Sequence, residues 1–227
     1  MAVRTAVLVH GAWHGAWCWD AVIEGLALFD LDAVAVDLPM TSFSEDVRCV
    51  QDAIASAGEP LLLCGHSYGG AVITEAGAQQ PHVDRLLYIC AVAPAKGEAT
   101  LRPGDERLTL PRNTWIRIEP DKAKETLYSD VDSADAASAI SRLRPLSLDC
   151  FATPLTAAAW RERTSTYLIC SRDRSMPLGR QQEYARRCST VLQLDSGHSP
   201  FLTVPAALAA LIAETAADPG SGQVPSA

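Results

Sequence analysis

Ser67 sits in Gly65-His66-Ser67-Tyr68-Gly69, with the apolar run Leu61-Leu62-Leu63-Cys64 before it and Gly70-Ala71-Val72-Ile73-Thr74-Glu75-Ala76 after it. This junction restricts the fold more than any other stretch of the chain. An apolar run of strand length that stops at a small-residue turn and restarts with helical character reads as strand, tight turn, helix. In that setting G-x-S-x-G makes a nucleophile elbow, whose strained turn lifts the serine hydroxyl above the sheet edge. So tight a turn leaves little room for flanking side chains, which accounts for Gly65 and Gly69. The helix behind it turns its positive end toward negative charge developing at the serine.

The remaining sequence repeats the pattern. Short apolar runs predict strands over 5–10, 33–37, 60–64, 86–91, 166–171 and 191–194. Most are continuously apolar, as strands buried on both faces of a parallel sheet are. Segments 17–28, 44–57 and 70–79 read as helices. Such alternation argues for an α/β architecture with right-handed crossovers. At 227 residues and 48% hydrophobic, the chain can cover one sheet with helices on both faces.

The alternation breaks over residues 94–160, which carry Pro94, Pro103, Pro111, Pro120, Pro145 and Pro154. Helical pieces are expected at 121–128 and 133–143, and Pro154 fits the first position of a helix running through 155–163. No strand core is evident after Ala93. The stretch reads as a helical cap insertion, dividing a core of 1–93 and 161–217. The Gly/Pro/Ser-rich tail, 218–227, is expected to be disordered.

A formal net charge of −8, with no run of basic residues, argues against a nucleic-acid partner. The early apolar run Ala6-Val7-Leu8-Val9 is too short for a signal segment, and nothing approaches the ~20 apolar residues of a membrane span. No membrane partner is expected, and a cytoplasmic location is. The seven cysteines include no CxxC pair and read as buried small hydrophobes in a reducing compartment, with no metal role. Oligomeric state is not legible.

A serine hydroxyl is a weak nucleophile until a base takes its proton. His198 lies in Ser196-Gly197-His198, directly after the last strand, so its loop opens on the same sheet edge as the elbow. His66 adjoins Ser67, but its side chain is expected to point away. His82 reads as a loop residue and His10 as a structural one. The acid that orients the histidine comes between serine and histidine in the chain order of such sites. Asp173, after the strand at 166–171, meets that condition. Asp149 is a rival, Asp195 is too near His198, and Arg172 and Arg174 leave open a plain surface ion pair for Asp173. Backbone N–H groups of Tyr68 and of Ala12, in the turn after the first strand, are candidates for an oxyanion hole. Each such donor is worth ~3 kcal/mol of barrier.

These residues carry a resemblance. The opening Val7-Leu8-Val9-His10-Gly11-Ala12-Trp13-His14-Gly15-Ala16-Trp17-Cys18-Trp19 is similar to that of the small α/β-hydrolases that include plant methyl-ester esterases and hydroxynitrile lyases. Asp37-Leu38-Pro39, Gly65–Gly70 and Ser196-Gly197-His198 continue it, over about 3–93 and 164–213. The resemblance implies the α/β-hydrolase fold, a Ser67–His198–Asp173 triad, no cofactor, and a site beneath a helical cap. The lyases carry Thr at the position of Gly11 and Lys at that of Ser199, so their helpers are missing and hydrolysis is favoured. Family members also place Gly where this chain has Met40.

Trp13, His14 and Trp115 are candidate pocket residues; Trp17 and Trp19 read as helix packing. His14 could equally partner a helix N-terminus, and Trp160 could also reach substrate. The function expected is hydrolysis of a small carboxylic ester, thioester or lactone through an acyl-enzyme, on a small molecule with a hydrophobic or aromatic group. A lyase or cyclase using His198 as proton shuttle, and a non-catalytic small-molecule receptor, remain as alternatives.

Overall fold

The structure, a computed structural model, describes residues 3–58 and 60–217. The tail expected at 218–227 lies outside the described residues. The chain begins with β1 (Thr5–Val9), a 3-10 turn at Ala16–Trp19, α1 (Asp20–Leu26) and β2 (Asp32–Val36). Next come α2 (Phe43–Ser56), β3 (Leu61–His66), α3 (Gly69–Ala76) and β4 (Val83–Ile89). The segment predicted as an insertion holds β5 (Trp115–Ile116), α4 (Pro120–Thr126), α5 (Ser133–Ser141), β6 (Leu146–Ser147) and α6 (Leu148–Ala152). The alternation resumes with β7 (Thr164–Cys170), α7 (Leu178–Ala185), β8 (Thr190–Leu194), α8 (Pro200–Thr203) and α9 (Pro205–Ala217).

Six strands form one parallel sheet in the order β2-β1-β3-β4-β7-β8. Alternate residues along each strand enter different cores. Val7, Val9, Leu61, Leu63, Tyr88 and Tyr167 pack with α2, α3 and α7 on one face. Ala6, Leu8, Leu62, Cys64, Leu87 and Leu168 pack with α1 and α9 on the other. This two-sided burial is why the strands are continuously apolar in sequence. Helix α2 is amphipathic, burying Val47, Val50 and Ile54. The Ser42 hydroxyl caps it by accepting from the Glu45 N–H at 3.3 Å. Such a cap contributes about 1 kcal/mol.

Two expectations for 94–160 are corrected. A strand pair does form after Ala93, since Trp115 and Ile116 pair antiparallel with Ser147 and Leu146. Two-residue strands leave too little periodicity to read. The helix expected after Pro154 is reduced to a 3-10 turn at Ala159–Arg161. Its first N–H groups have other acceptors: Leu155 donates to the Glu98 carbonyl at 2.9 Å, and Thr156 and Ala157 to the Glu75 carboxylate at 2.8 and 3.1 Å. Ala158, extended at φ of −146° and ψ of 91°, keeps a helix from starting before Ala159.

All seven cysteines are free thiols, and Cys18, Cys64, Cys90, Cys150 and Cys170 are buried. Among the described residues no helix is long and apolar enough to cross a membrane.

Candidate active site

Strand β3 delivers Ser67 at its carboxyl end, with φ of +52° in the left-handed region. A side chain at either flanking glycine would strike backbone. A Cβ on Gly65 would come 2.7 Å from the Gly69 carbonyl oxygen, and one on Gly69 2.6 Å from the His10 carbonyl oxygen. The turn is held by Ser67 N–H to the Ile89 carbonyl and Val92 N–H to the Ser67 carbonyl, at 3.2 and 3.1 Å.

The loops after β7 and β8 bring two further side chains to the same edge. His198 Nε2 lies 3.1 Å from Ser67 Oγ, and His198 Nδ1 lies 2.7 Å from Asp173 Oδ2. The other Asp173 oxygen accepts from the Ser175 and Met176 N–H groups at 2.7 and 2.8 Å. The carboxylate therefore has fixed donors on one oxygen and the imidazole on the other. It places the histidine proton on Nδ1 and leaves Nε2 to accept from the serine hydroxyl.

The rival acids are engaged elsewhere. Asp149 accepts from Phe43 N–H and the Thr153 hydroxyl, whereas Asp195 pairs with Arg172 at 3.0 Å. Arg172 thus faces Asp195 and, at 3.7 Å, Asp130, not Asp173.

The backbone N–H groups of Ala12 and Tyr68 make no hydrogen bond among the described residues, and both residues line one cavity with Ser67. The Tyr68 side chain is anchored away from that cavity's chemistry. Its hydroxyl donates to buried Asp46 at 2.6 Å, and Asp46 also accepts from Met40 N–H at 2.7 Å. Burial raises the Asp46 carboxyl to about 6, against the lowering effect of these two bonds. Met40 has φ of +56°, a conformation in which glycine is unstrained. The Asp46 bond and Ser147 N–H to the Met40 carbonyl hold it there.

Three more histidines surround the site, all buried and neutral. His10 donates from Nδ1 to the Gly11 carbonyl and accepts Leu38 N–H on Nε2, and desolvation lowers its pKa to about 4. His14 donates from Nδ1 to the Ala12 carbonyl and accepts from the Tyr128 hydroxyl, and desolvation lowers it to about 3. His66 donates from Nε2 to the His198 carbonyl at 2.8 Å, and burial holds its pKa well below the ordinary value. Its ring centroid is 4.8 Å from that of His198, so it braces the His198 loop instead of pointing clear of it. Adjacency in the motif was its only sequence signal.

The cavity beside Ser67 measures about 340 Å³. Trp13, Val92, Leu101, Phe151 and Met176 supply its apolar wall, and Arg102, Asp105, Arg107 and Arg180 its polar side. A larger cleft of about 610 Å³ shares Leu101 and Arg102 but contains neither Ser67 nor its partners. The structure brings Trp13 to the serine cavity and does not bring His14 or Trp115. His14 is enclosed by the rings of Trp17, His66, Tyr128 and Phe201. Trp115 lies on β5 and is 54% exposed. Trp160 is buried, donating to the Pro94 carbonyl, while Trp19 packs in the core under the sheet. No sequence signal marked Arg180 or Phe151.

Among the described residues, His66, Cys90 and His198 form a group with metal-binding atoms within 4.8 Å of one another. The His66 Nε2 and both His198 nitrogens already have protein partners. The arrangement is suited to moving a proton from Ser67, not to holding an ion.

Residues 6–211 match the family described as alpha/beta hydrolase. The chain belongs to that family. It is 30% identical over 240 residues to the alpha/beta hydrolase nvfD of Aspergillus novofumigatus, covering 93% of this chain and 96% of that one. It is 25% identical to a putative chloroplastic methylesterase 14 of Arabidopsis thaliana, covering 96% of this chain and 74% of that one. The crystal structure of a pyrethroid hydrolase from Sphingobium faniae JZ-2 superposes with a TM-score of 0.80 at 24% identity, covering 96% and 98% of the two chains. The chain's kinship is with esterase-like hydrolases, and the resemblance to plant methyl-ester esterases holds.

Proposed function

We propose that this chain is a serine hydrolase cleaving a small carboxylic ester, thioester or lactone through an acyl-enzyme. The observation that carries the reading is the continuous hydrogen-bonded line from Ser67 Oγ through His198 to Asp173, 3.1 and 2.7 Å long. In this mechanism His198 Nε2 takes the hydroxyl proton as Ser67 Oγ attacks the carbonyl carbon. Asp173 keeps the imidazole in register and stabilises it once charged. Ala12 and Tyr68 N–H groups stabilise the oxyanion, with the α3 N-terminus behind them. The same proton then goes from His198 to the departing alcohol or thiol. Water, deprotonated by His198, next attacks the acyl carbon, and His198 returns that proton to Ser67 Oγ as the acid departs.

The apolar wall of Trp13, Val92, Leu101, Phe151 and Met176 supports a substrate with a hydrophobic or aromatic body. Two further observations favour hydrolysis over cyanohydrin chemistry. A Cβ on Gly11 would come 2.8 Å from His66 Nδ1 and 2.9 Å from Ser67 Cβ, so a threonine there would require rearrangement. The Ser199 hydroxyl, where the lyases have Lys, donates to the Leu127 carbonyl at 2.8 Å.

The test is turnover of 4-nitrophenyl acetate. Ser67→Ala and His198→Ala should each lower kcat by about 10³-fold or more, with non-additive effects in the double variant. Retained turnover in folded Ser67→Ala would replace acyl transfer with a reaction in which His198 alone moves protons.

A further inference from the structure

The cavity beside Ser67 has three guanidinium groups on its polar side, and they are not equivalent. Arg107 is held by Asp105 through two bonds, Nε to Oδ1 at 2.8 Å and Nη2 to Oδ2 at 2.6 Å. Arg102 pairs with Glu183 at 2.6 Å. Arg180 has no carboxylate partner among the described residues. One of its Nη2 hydrogens reaches the Thr100 carbonyl at 3.2 Å, and its guanidinium carbon lies 6.0 Å from the Tyr184 ring centroid. Its Nε is buried and without a hydrogen-bond partner. The residue is half-buried, and a buried donor left without a partner costs free energy. Asp105 and Glu183 are near enough to act on it electrostatically, but their oxygens bond Arg107 and Arg102.

Arg180 is also well positioned in the chain. It stands in the first turns of α7, directly after the loop that carries Asp173, Ser175 and Met176. That loop is fixed by the Asp173 bonds, so the guanidinium has a rigid base beside the reacting groups. A planar fork of N–H donors suits a carboxylate better than any neutral group.

We propose that Arg180 binds a carboxylate carried by the substrate away from the scissile bond. The substrate class is then an acidic ester: an apolar body with a free carboxylate at one end and the reacting acyl group at the other. This deepens the acyl-transfer reading and rests on it for the position of the reacting carbonyl. The apolar wall takes the body, and Arg180 fixes which end faces Ser67. The inference concerns selection among esters; the bond-breaking steps are unchanged.

Two isosteric pairs test it, each an acid and its uncharged amide: methyl hydrogen adipate against methyl adipamate, and 4-acetoxybenzoate against 4-acetoxybenzamide. The first pair carries the charge on the acyl side and the second on the alcohol side. The wild-type protein should prefer the acid in at least one pair by about tenfold or more in kcat/KM, the scale of a charge-assisted hydrogen bond. The preference should shrink as salt is raised from about 0.02 to about 0.5 M. Arg180→Met should bring the acid-to-amide ratio close to one, mainly through KM, and Arg180→Lys should retain part of it. Equal or poorer turnover of the acid in both pairs overturns the inference, as does an unchanged ratio in Arg180→Met. Should Arg180→Met not fold, Arg180→Gln, which keeps a neutral polar side chain at the position, decides in its place. Calorimetric binding to Ser67→Ala separates the two claims. Tighter binding of the acid that is lost in Ser67→Ala/Arg180→Met upholds the role of Arg180 whatever becomes of the acyl-enzyme, whereas turnover by Ser67→Ala defeats the acyl-enzyme alone.

Discussion

At Ser67 the backbone, not the side chain, bears the cost of the tight turn. A non-glycine residue at φ of +52° stores about 1–3 kcal/mol, and the surrounding turn must offset it. In return the hydroxyl stands 3.1 Å from an imidazole whose other nitrogen is fixed by Asp173. Asp173→Asn should therefore do more harm than loss of charge alone. An amide group donating to His198 Nδ1 would move the ring proton to Nε2, where it opposes deprotonation of Ser67. We expect kcat to fall about 10³–10⁴-fold with the fold intact, measured by steady-state kinetics and circular dichroism. A loss under tenfold would mean that Asp173 does not set the tautomer. Asp46, beneath Tyr68, gives a prediction about stability. Its native carboxyl titrates at about 6, above the ordinary 3.8, so the folded state retains a proton that the unfolded chain releases. Stability from this group is greatest below pH ~4 and is lost as pH rises through ~6, by up to about 3 kcal/mol. Urea denaturation at pH 4 and 7.5 should show wild type losing stability relative to Asp46→Asn over that interval. Parallel behaviour of the two proteins would contradict the assignment.

At the scale of elements, the strands and the elbow were legible because burial on both sheet faces writes itself as uninterrupted apolar sequence. Where a polar residue interrupts, the boundary slips: β4 begins at Val83, ahead of Asp84 and Arg85, although the apolar run starts at Leu86. The serine, histidine and acid were legible for a related reason, since each follows a readable strand. What escaped depends on partners distant in sequence. The segment after Pro154 is held by Glu75 and Glu98, and Arg180 matters because the carboxylates nearest it bond other arginines. The turn between α4 and α5 also contacts the His198 loop in a way no spacing discloses. Asp130 accepts from Gly197 N–H at 2.5 Å, and a Cβ on Gly197 would collide with that carboxylate. Asp130→Ala should cost about 1–2 kcal/mol in urea denaturation, the typical penalty for an unmet buried N–H. We also expect about a tenfold fall in kcat, because the histidine loop loses its support. Unaltered kcat would show that the loop keeps its position without Asp130.

Across the whole molecule, one sheet separates two hydrophobic cores, and the site lies where its central strands end. Leu62 is fully buried in the core formed with α1 and α9, on the face opposite α3. Leu62→Ala should destabilise by about 2–5 kcal/mol in chemical denaturation, through lost burial and the cavity left behind. A cost below about 1 kcal/mol would show that this core relaxes around the gap. The central claim is that Ser67 is a nucleophile activated by His198. Its most direct test is labelling with a fluorophosphonate probe, read by mass spectrometry of the intact chain and of its peptides. One adduct per chain is expected, on Ser67, formed far more slowly in His198→Ala and absent in Ser67→Ala. An unlabelled folded wild-type protein, or an adduct on another residue that persists in Ser67→Ala, would contradict it.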